Sequence, residues 1–252
     1  MFGGWPADYS AARSNTYSID TRNEGKIEEL TPMFTERGDV AAVRFNQKSK
    51  DIAFVIGGFT DANNFCAPLN TVENYDFKND KWYQSSSENM DLTTERGDKV
   101  ADVMDGLVLV IGGEAKHEDM CNETLSADLN PHIHAQGIHD IEVLDPLEKD
   151  AHWEKATNLP EIRFRAASAV DEKSNTLYLF GGQKSHNPTC NCYRTSDDIF
   201  SYVGDQTEES GGLGATGIAL IVTACVLVLL VGAIFVIRRR RAGKADGIEM
   251  AM

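Results

Sequence analysis

The 252-residue chain contains no nucleophile elbow, no phosphate-cradling glycine loop and no metalloprotease helix motif, so no catalytic residue can be assigned and no cofactor is implied. It has no Cys-x-x-Cys pair and no calcium-loop spacing, the usual marks of a zinc finger or an EF-hand. Residues 1–20 lack the basic start and apolar run of an export signal. Positive charge is scarce, with 24 Lys and Arg against 39 Asp and Glu, a formal charge of −15. Outside one C-terminal segment no stretch has a helical period.

That segment is residues 214–237, 24 positions without a charged side chain, followed at once by Arg238–Arg241. At about 1.5 Å per residue such a helix crosses a hydrocarbon core of roughly 30 Å. A basic cluster abutting a span stays in the cytoplasm, so the sequence predicts a single-pass membrane protein. Its organisation is an extracellular or lumenal region 1–203, an acidic and glycine-containing linker 204–213, a transmembrane helix 214–237 and a cytoplasmic tail 238–252. A glycolipid-anchor signal is the rival, since small residues precede the apolar run, but such a signal ends hydrophobic and this one ends in arginines. Removing the tail's charges leaves 19 basic and 37 acidic groups outside, a balance of −18. That excess disfavours nucleic acid and anionic lipid surfaces as partners. Cys225 lies within the span as a small apolar residue.

Within 1–203 a unit recurs. Apolar runs end in paired glycines at Gly3-Gly4, Gly57-Gly58, Gly112-Gly113 and Gly181-Gly182, with first glycines 54, 55 and 69 residues apart. Each pair is followed by a polar loop and a second strand candidate (14–20, 71–77, 138–145 and 196–203), then in three units by a short third one (26–30, 81–86 and 152–157). A repeat of about 50 residues with four strands per unit is the pattern of a propeller blade. Gly-Gly after an apolar strand, Tyr-Asp in "NYDFKNDKW" or its equivalent, a tryptophan, and an arginine opening the next unit resemble kelch repeats across nearly all of 1–203.

The resemblance implies an all-β, kelch-like propeller sector of about four blades. The first unit starts in its second strand and the fourth stops after its third, so two blades are incomplete. Kelch propellers usually have six or seven blades, and a chain truncated or started internally is therefore expected. Trp82, Trp153 and Tyr75 are expected to pack between blades. Arg37, Arg96 and Arg165 are expected to mark the first strand of successive blades. Arg96 and Arg165 both precede their glycine pair by 16 residues, and Arg37 precedes its own by 20. Residues 37–39 and 96–98 read Arg-Gly-Asp, the tripeptide of integrin ligands, yet on this register the arginine belongs to the repeat.

Cys66, Cys121 and Cys190 each lie eight residues after the second glycine of a pair, so they occupy one loop position in three blades. With Cys192 they form two expected disulfides of an oxidising compartment. Because one residue separates Cys190 from Cys192, each is expected to bond elsewhere. The rival is a metal site built from His117, Cys121, His186 and Cys190. Asn122 begins an Asn-Glu-Thr glycosylation sequon. The third unit's loop, about 114–137, is the longest and contains His132 and His134, with His139 just beyond. It and its neighbours are the expected recognition surface.

The functional expectation is therefore a membrane-integral recognition module whose loop face takes an unknown protein or glycan. The alternatives are a membrane-anchored, oxidase-like propeller enzyme with its active-site blades missing, or a nonfunctional truncated product.

Overall fold

The computed structural model describes residues 1–8, 10–60, 67–84, 90–116, 135–187, 189–190 and 192–204. The expected linker, span and tail beyond 204 lie outside the described residues. Among the described residues no helix is long and apolar enough to cross a membrane.

Every regular element described is a β-strand. The first blade pairs β1 (Thr16–Asp20) with β2 (Lys26–Leu30), and Phe2 bridges to Thr16. The second runs β3 (Ala41–Gln47), β4 (Lys50–Phe59), β5 (Pro68–Asp76) and β6 (Lys81–Gln84), paired in chain order. The third repeats this with β7 (Val100–Met104), β8 (Leu107–Lys116), β9 (Ala135–Leu144) and β10 (Glu154–Asn158). In the fourth, β11 (Ala167–Asp171), β12 (Thr176–Phe180) and β15 (Ile199–Val203) make one sheet, while β13 (Gln183–Asn187) and β14 (Cys192–Thr195) continue the middle hairpin as a separate ribbon. The strand pattern is thus two whole blades flanked by two partial ones. All the named pairings are antiparallel.

Alternation along the second strand of each blade decides the packing, because successive side chains point to opposite faces. Val55 packs back toward the first blade with Met33, Tyr75 and Trp82. Phe54 and Ile56 face forward and meet Val108 and Val110 of the third. Leu109 and Ile111 then face forward and meet Leu177 and Leu179 of the fourth. Each core is an interface between neighbouring blades, and each fully buried large apolar side chain in it contributes roughly 1.5–3 kcal/mol. Trp82 and Trp153 sit in the first two of these cores, and their indole N–H groups donate to the carbonyls of Thr31 at 2.7 Å and Met90 at 3.0 Å.

Candidate functional site

Glycine pairs and arginines join the blades. Gly57 and Gly58 have φ of 53° and 103°, in the left-handed region that side chains avoid. The first glycine of each of the first three pairs lies against the carbonyl of an arginine in the following blade: Gly3 against Arg37, Gly57 against Arg96 and Gly112 against Arg163. The second glycine donates its N–H to that carbonyl at 2.9 Å in all three.

The arginine side chains turn inward. Arg37 Nη2 pairs with Glu73 Oε1 at 2.7 Å, both side chains fully buried, while its Nη1 donates to the Thr71 and Gly57 carbonyls. Arg96 repeats the arrangement with Glu142 and the Gly112 carbonyl, and adds Asp140 at 2.7 Å. Each glutamate also accepts two backbone N–H groups, from Phe34 and Thr35 or from Thr93 and Thr94. A buried ion pair with its remaining lone pairs satisfied in this way can balance its desolvation cost.

The same geometry corrects one expectation. The fourth repeat's arginine is Arg163, which is 1 % exposed and whose carbonyl receives Gly113, not Arg165. Arg165 occupies the position of Asp39 and Asp98, and all three have φ near +50°. The fourth blade also lacks the buried glutamate. Phe200 pairs with Leu179 as Glu73 pairs with Val55, and the Arg163 guanidinium stacks 4.9 Å over the Phe200 ring. Its Nη2 lies 3.5 Å from Asp198 Oδ2 and 3.7 Å from Glu161 Oε1, both on partly exposed side chains, in place of the close buried pair of Arg37 and Arg96.

Asp39, Asp98 and Arg165 form an inner ring tied by backbone bonds, Asp98 N–H to Asp39 O at 3.2 Å and Arg165 N–H to Asp98 O at 2.8 Å. Arg165 grips Asp98 Oδ2 through Nε at 3.0 Å and Nη2 at 2.8 Å, and lies 3.6 Å from Glu114 Oε2. Trp5 donates to Asp39 at 3.0 Å. Burial, reinforced by the neighbouring Asp98, pushes the Glu114 carboxyl up to about 9, so it carries a proton at neutral pH. Burial also raises Asp39 and pulls Lys99 well below its ordinary value.

A cleft of about 590 Å³ opens between the third and fourth blades. His139 of β9, Glu161 and Ile162 before Arg163, Lys184 and His186 of β13, and Arg194 of β14 line it. Antiparallel strands reverse at each turn, so the loop between a blade's second and third strands leaves by the same end as the connection to the next blade. The cleft therefore sits at the end of the blades where β8 finishes and β9 begins. Lys184 is held by Glu161 at 3.2 Å and Asp198 at 2.8 Å, and those bonds with Ser196 draw the Asp198 carboxyl down to about 2. His186 packs edge-on to Tyr193 at 5.3 Å.

Cys190 and Cys192 are bonded to each other, not to separate partners as expected. The bend after β13 brings their Cα atoms to 5.2 Å, inside the range a disulfide spans. Bonded so, Cys190 offers no thiolate to the metal alternative, and among the described residues no group of three or more His, Cys, Asp or Glu is placed to hold an ion. Cys66, His117, Cys121, Asn122, His132 and His134 lie outside the described residues. The sequence reading missed Glu73, Glu142 and Glu114, whose signal was a charged residue inside an apolar strand.

A kelch motif matches residues 50–87, which span β4 to β6. The solved structure titled "Structure of YjhT" is similar over 76% of this chain at 16% identity and a TM-score of 0.55. The match covers 49% of that structure's chain, so the present chain spans about half its length. No curated protein sequence matches. The chain thus carries one kelch motif within an all-β, propeller-like sector.

Proposed function

We propose that the sector is the ectodomain of a single-pass membrane protein and serves as a recognition module for an acidic protein or glycan ligand. The cleft between the third and fourth blades carries this reading. Arg194, Lys184, His139 and His186 gather there on a chain of net charge −15, with Glu161 and, bonded to Lys184, Asp198 as the opposing carboxylates. A local cationic cleft on an acidic body selects anionic groups. Loops held by a rigid blade scaffold are suited to that task.

The apolar stretch 214–237 and the arginines behind it support the anchor, with residues 1–203 outside the cell or in a lumen. Glycosidase treatment should then shift gel mobility through Asn122. An exported protein that shows no shift would speak against that orientation.

An enzymatic propeller is the rival of a different class. Glu114, held protonated beside Asp98, is the natural acid for one, yet it is 1 % exposed and out of reach of a substrate. Binding is therefore the better reading. The detergent-solubilised full chain, immobilised and screened against acidic peptides and acidic glycans, should retain ligands that Arg194→Glu releases. Ligands retained equally by that variant would sink the cleft as the recognition site.

A further inference from the structure

One interior position breaks the pattern that the two whole blades otherwise share. Phe54 and Leu109 each stand three residues before the first glycine of their pair, and their cross-strand partners are Asn74 on β5 and Val143 on β9. Directly opposed residues of antiparallel strands share a face, so Asn74 and Val143 both look forward, toward the next blade. Val143 is 5 % exposed and belongs to the core between the third and fourth blades. The second blade thus puts an amide where the third puts a valine. Asn74 Oδ1 is buried and accepts no hydrogen bond among the described residues. A buried acceptor in that state costs the free energy of its lost hydration, which a ligand that brings a donor would return.

A cavity of about 340 Å³ opens onto this amide between the second and third blades. The buried Phe54 ring and the half-buried Met90 line its interior, and the exposed side chains of Lys50, Glu148, Lys149 and Asp150 line its mouth. The mouth is fixed in place, because the Lys50 ammonium donates to the Pro146 carbonyl and Asp145 Oδ1 accepts the Leu147 N–H at 2.8 Å. The volume is near the lower end for small-molecule sites, too little for a folded partner. Two ammonium groups meet two carboxylates at the mouth, which favours a ligand whose own charges balance. The interior asks for an aromatic or apolar body that ends in one neutral donor.

We infer that this cavity binds a small zwitterion with a phenolic ring, a molecule of the tyrosine class. Its ring lies against Phe54 and Met90, where edge-on and sulfur–aromatic contacts are available. The phenol O–H donates to Asn74 Oδ1, and the ammonium and carboxylate meet the opposite charges of the mouth. An unsubstituted phenyl ring would fill the same space and leave the amide unpaired. The cavity lies where β9 finishes and β10 begins, at the other end of the blades from the cationic cleft, and the inference stands apart from the ligand proposed there.

Titration calorimetry of the full chain in detergent against L-tyrosine and L-phenylalanine tests this. Tyrosine should bind saturably, and at least about tenfold more tightly than phenylalanine, because a site built to pair a hydroxyl rejects the analogue that lacks it. Asn74→Val installs the third blade's own residue, so circular dichroism and melting should be kept, and the two amino acids should then bind equally. Glu148→Gln with Asp150→Asn, both at exposed positions, should weaken both ligands severalfold and keep the preference for tyrosine. No saturable tyrosine binding to the wild type would overturn the inference, as would equal binding of the two amino acids, a comparison that needs no variant. A preference that survives Asn74→Val would overturn it too, by placing the hydroxyl's partner elsewhere.

Discussion

The carbonyl oxygen of Arg96 lies 2.5 Å from the point where a Cβ on Gly57 would stand, and it accepts the Gly58 N–H at 2.9 Å. One backbone atom of the third blade thus fills the space and satisfies the donor that the second blade's glycine pair leaves. Gly181 has the same backbone strain, φ 60° against 53°, but its nearest neighbour is Ser196 O at 3.2 Å. Gly57→Ala should therefore cost about 3 kcal/mol, strain and clash together, and Gly181→Ala nearer ~1 kcal/mol from strain. Urea denaturation of both variants measures the difference. Equal losses would mean that the carbonyl contact adds nothing beyond φ.

Arg37 and Arg163 occupy equivalent positions with unequal partners, a close buried carboxylate for one and an aromatic ring with two longer, partly exposed ion pairs for the other. Breaking a buried pair strands its other charge, so Arg37→Met should cost about 3–5 kcal/mol. Arg163→Met removes a buried cation whose neighbouring carboxylates, Asp198 at 3.5 Å and Glu161 at 3.7 Å, are partly exposed and keep Lys184 as a partner, so it should cost no more than ~1 kcal/mol. Thermal and urea unfolding midpoints decide it, and a loss at Arg163 matching that at Arg37 would show that the stacked ring replaces the carboxylate fully.

Glu114 makes stability depend on pH in a definite direction. Its folded carboxyl titrates at about 9 against an ordinary 4.5, so between those values the folded chain keeps a proton that the unfolded chain has released. Stability from this group is full below 4.5 and declines as pH rises, by up to about 1.4 kcal/mol per unit, until the folded state also deprotonates near 9. Glu114→Gln mimics the protonated group and should flatten that decline. Melting temperatures of both proteins from pH 5 to 9 test it, and parallel profiles would contradict the assignment.

Much of this architecture was legible in the residues, and the reason is steric. A Gly-Gly pair ending an apolar strand is needed because an arginine carbonyl of the next blade approaches the first glycine of each of the first three pairs, so the period survives where other residues drift. Arg163 was not legible, because counting back from the glycines assumes a constant hairpin. β7 and β8 turn through two residues, Asp105 and Gly106, but β11 and β12 turn through four, which moves the arginine from 16 to 18 positions before its glycine. β3 and β4 have longer arms, giving 20 for Arg37. The buried glutamates were hidden for another reason: a lone charge in a strand looks like a solvent-facing residue until the opposing arginine is placed in space. The Cys190–Cys192 bond depends on a local bend that spacing alone does not reveal.

The two Arg-Gly-Asp stretches, 37–39 and 96–98, gain a concrete reading from their contacts. Arg37 and Arg96 are 0 % exposed, Gly38 is covered by the Trp5 ring and Gly97 by the Phe59 ring, and both aspartates lie in the inner ring. An integrin needs the arginine and the aspartate extended together on an exposed loop, and here the guanidinium would have to leave a buried carboxylate first. The folded protein should therefore support no cell adhesion that a soluble Arg-Gly-Asp peptide competes away. The same protein, urea-unfolded and adsorbed to the plate, should support it, because unfolding frees both tripeptides. Competed adhesion to the folded chain, lost in an Asp39→Glu and Asp98→Glu double variant that melts normally, would show that the tripeptide is presented from the folded state after all.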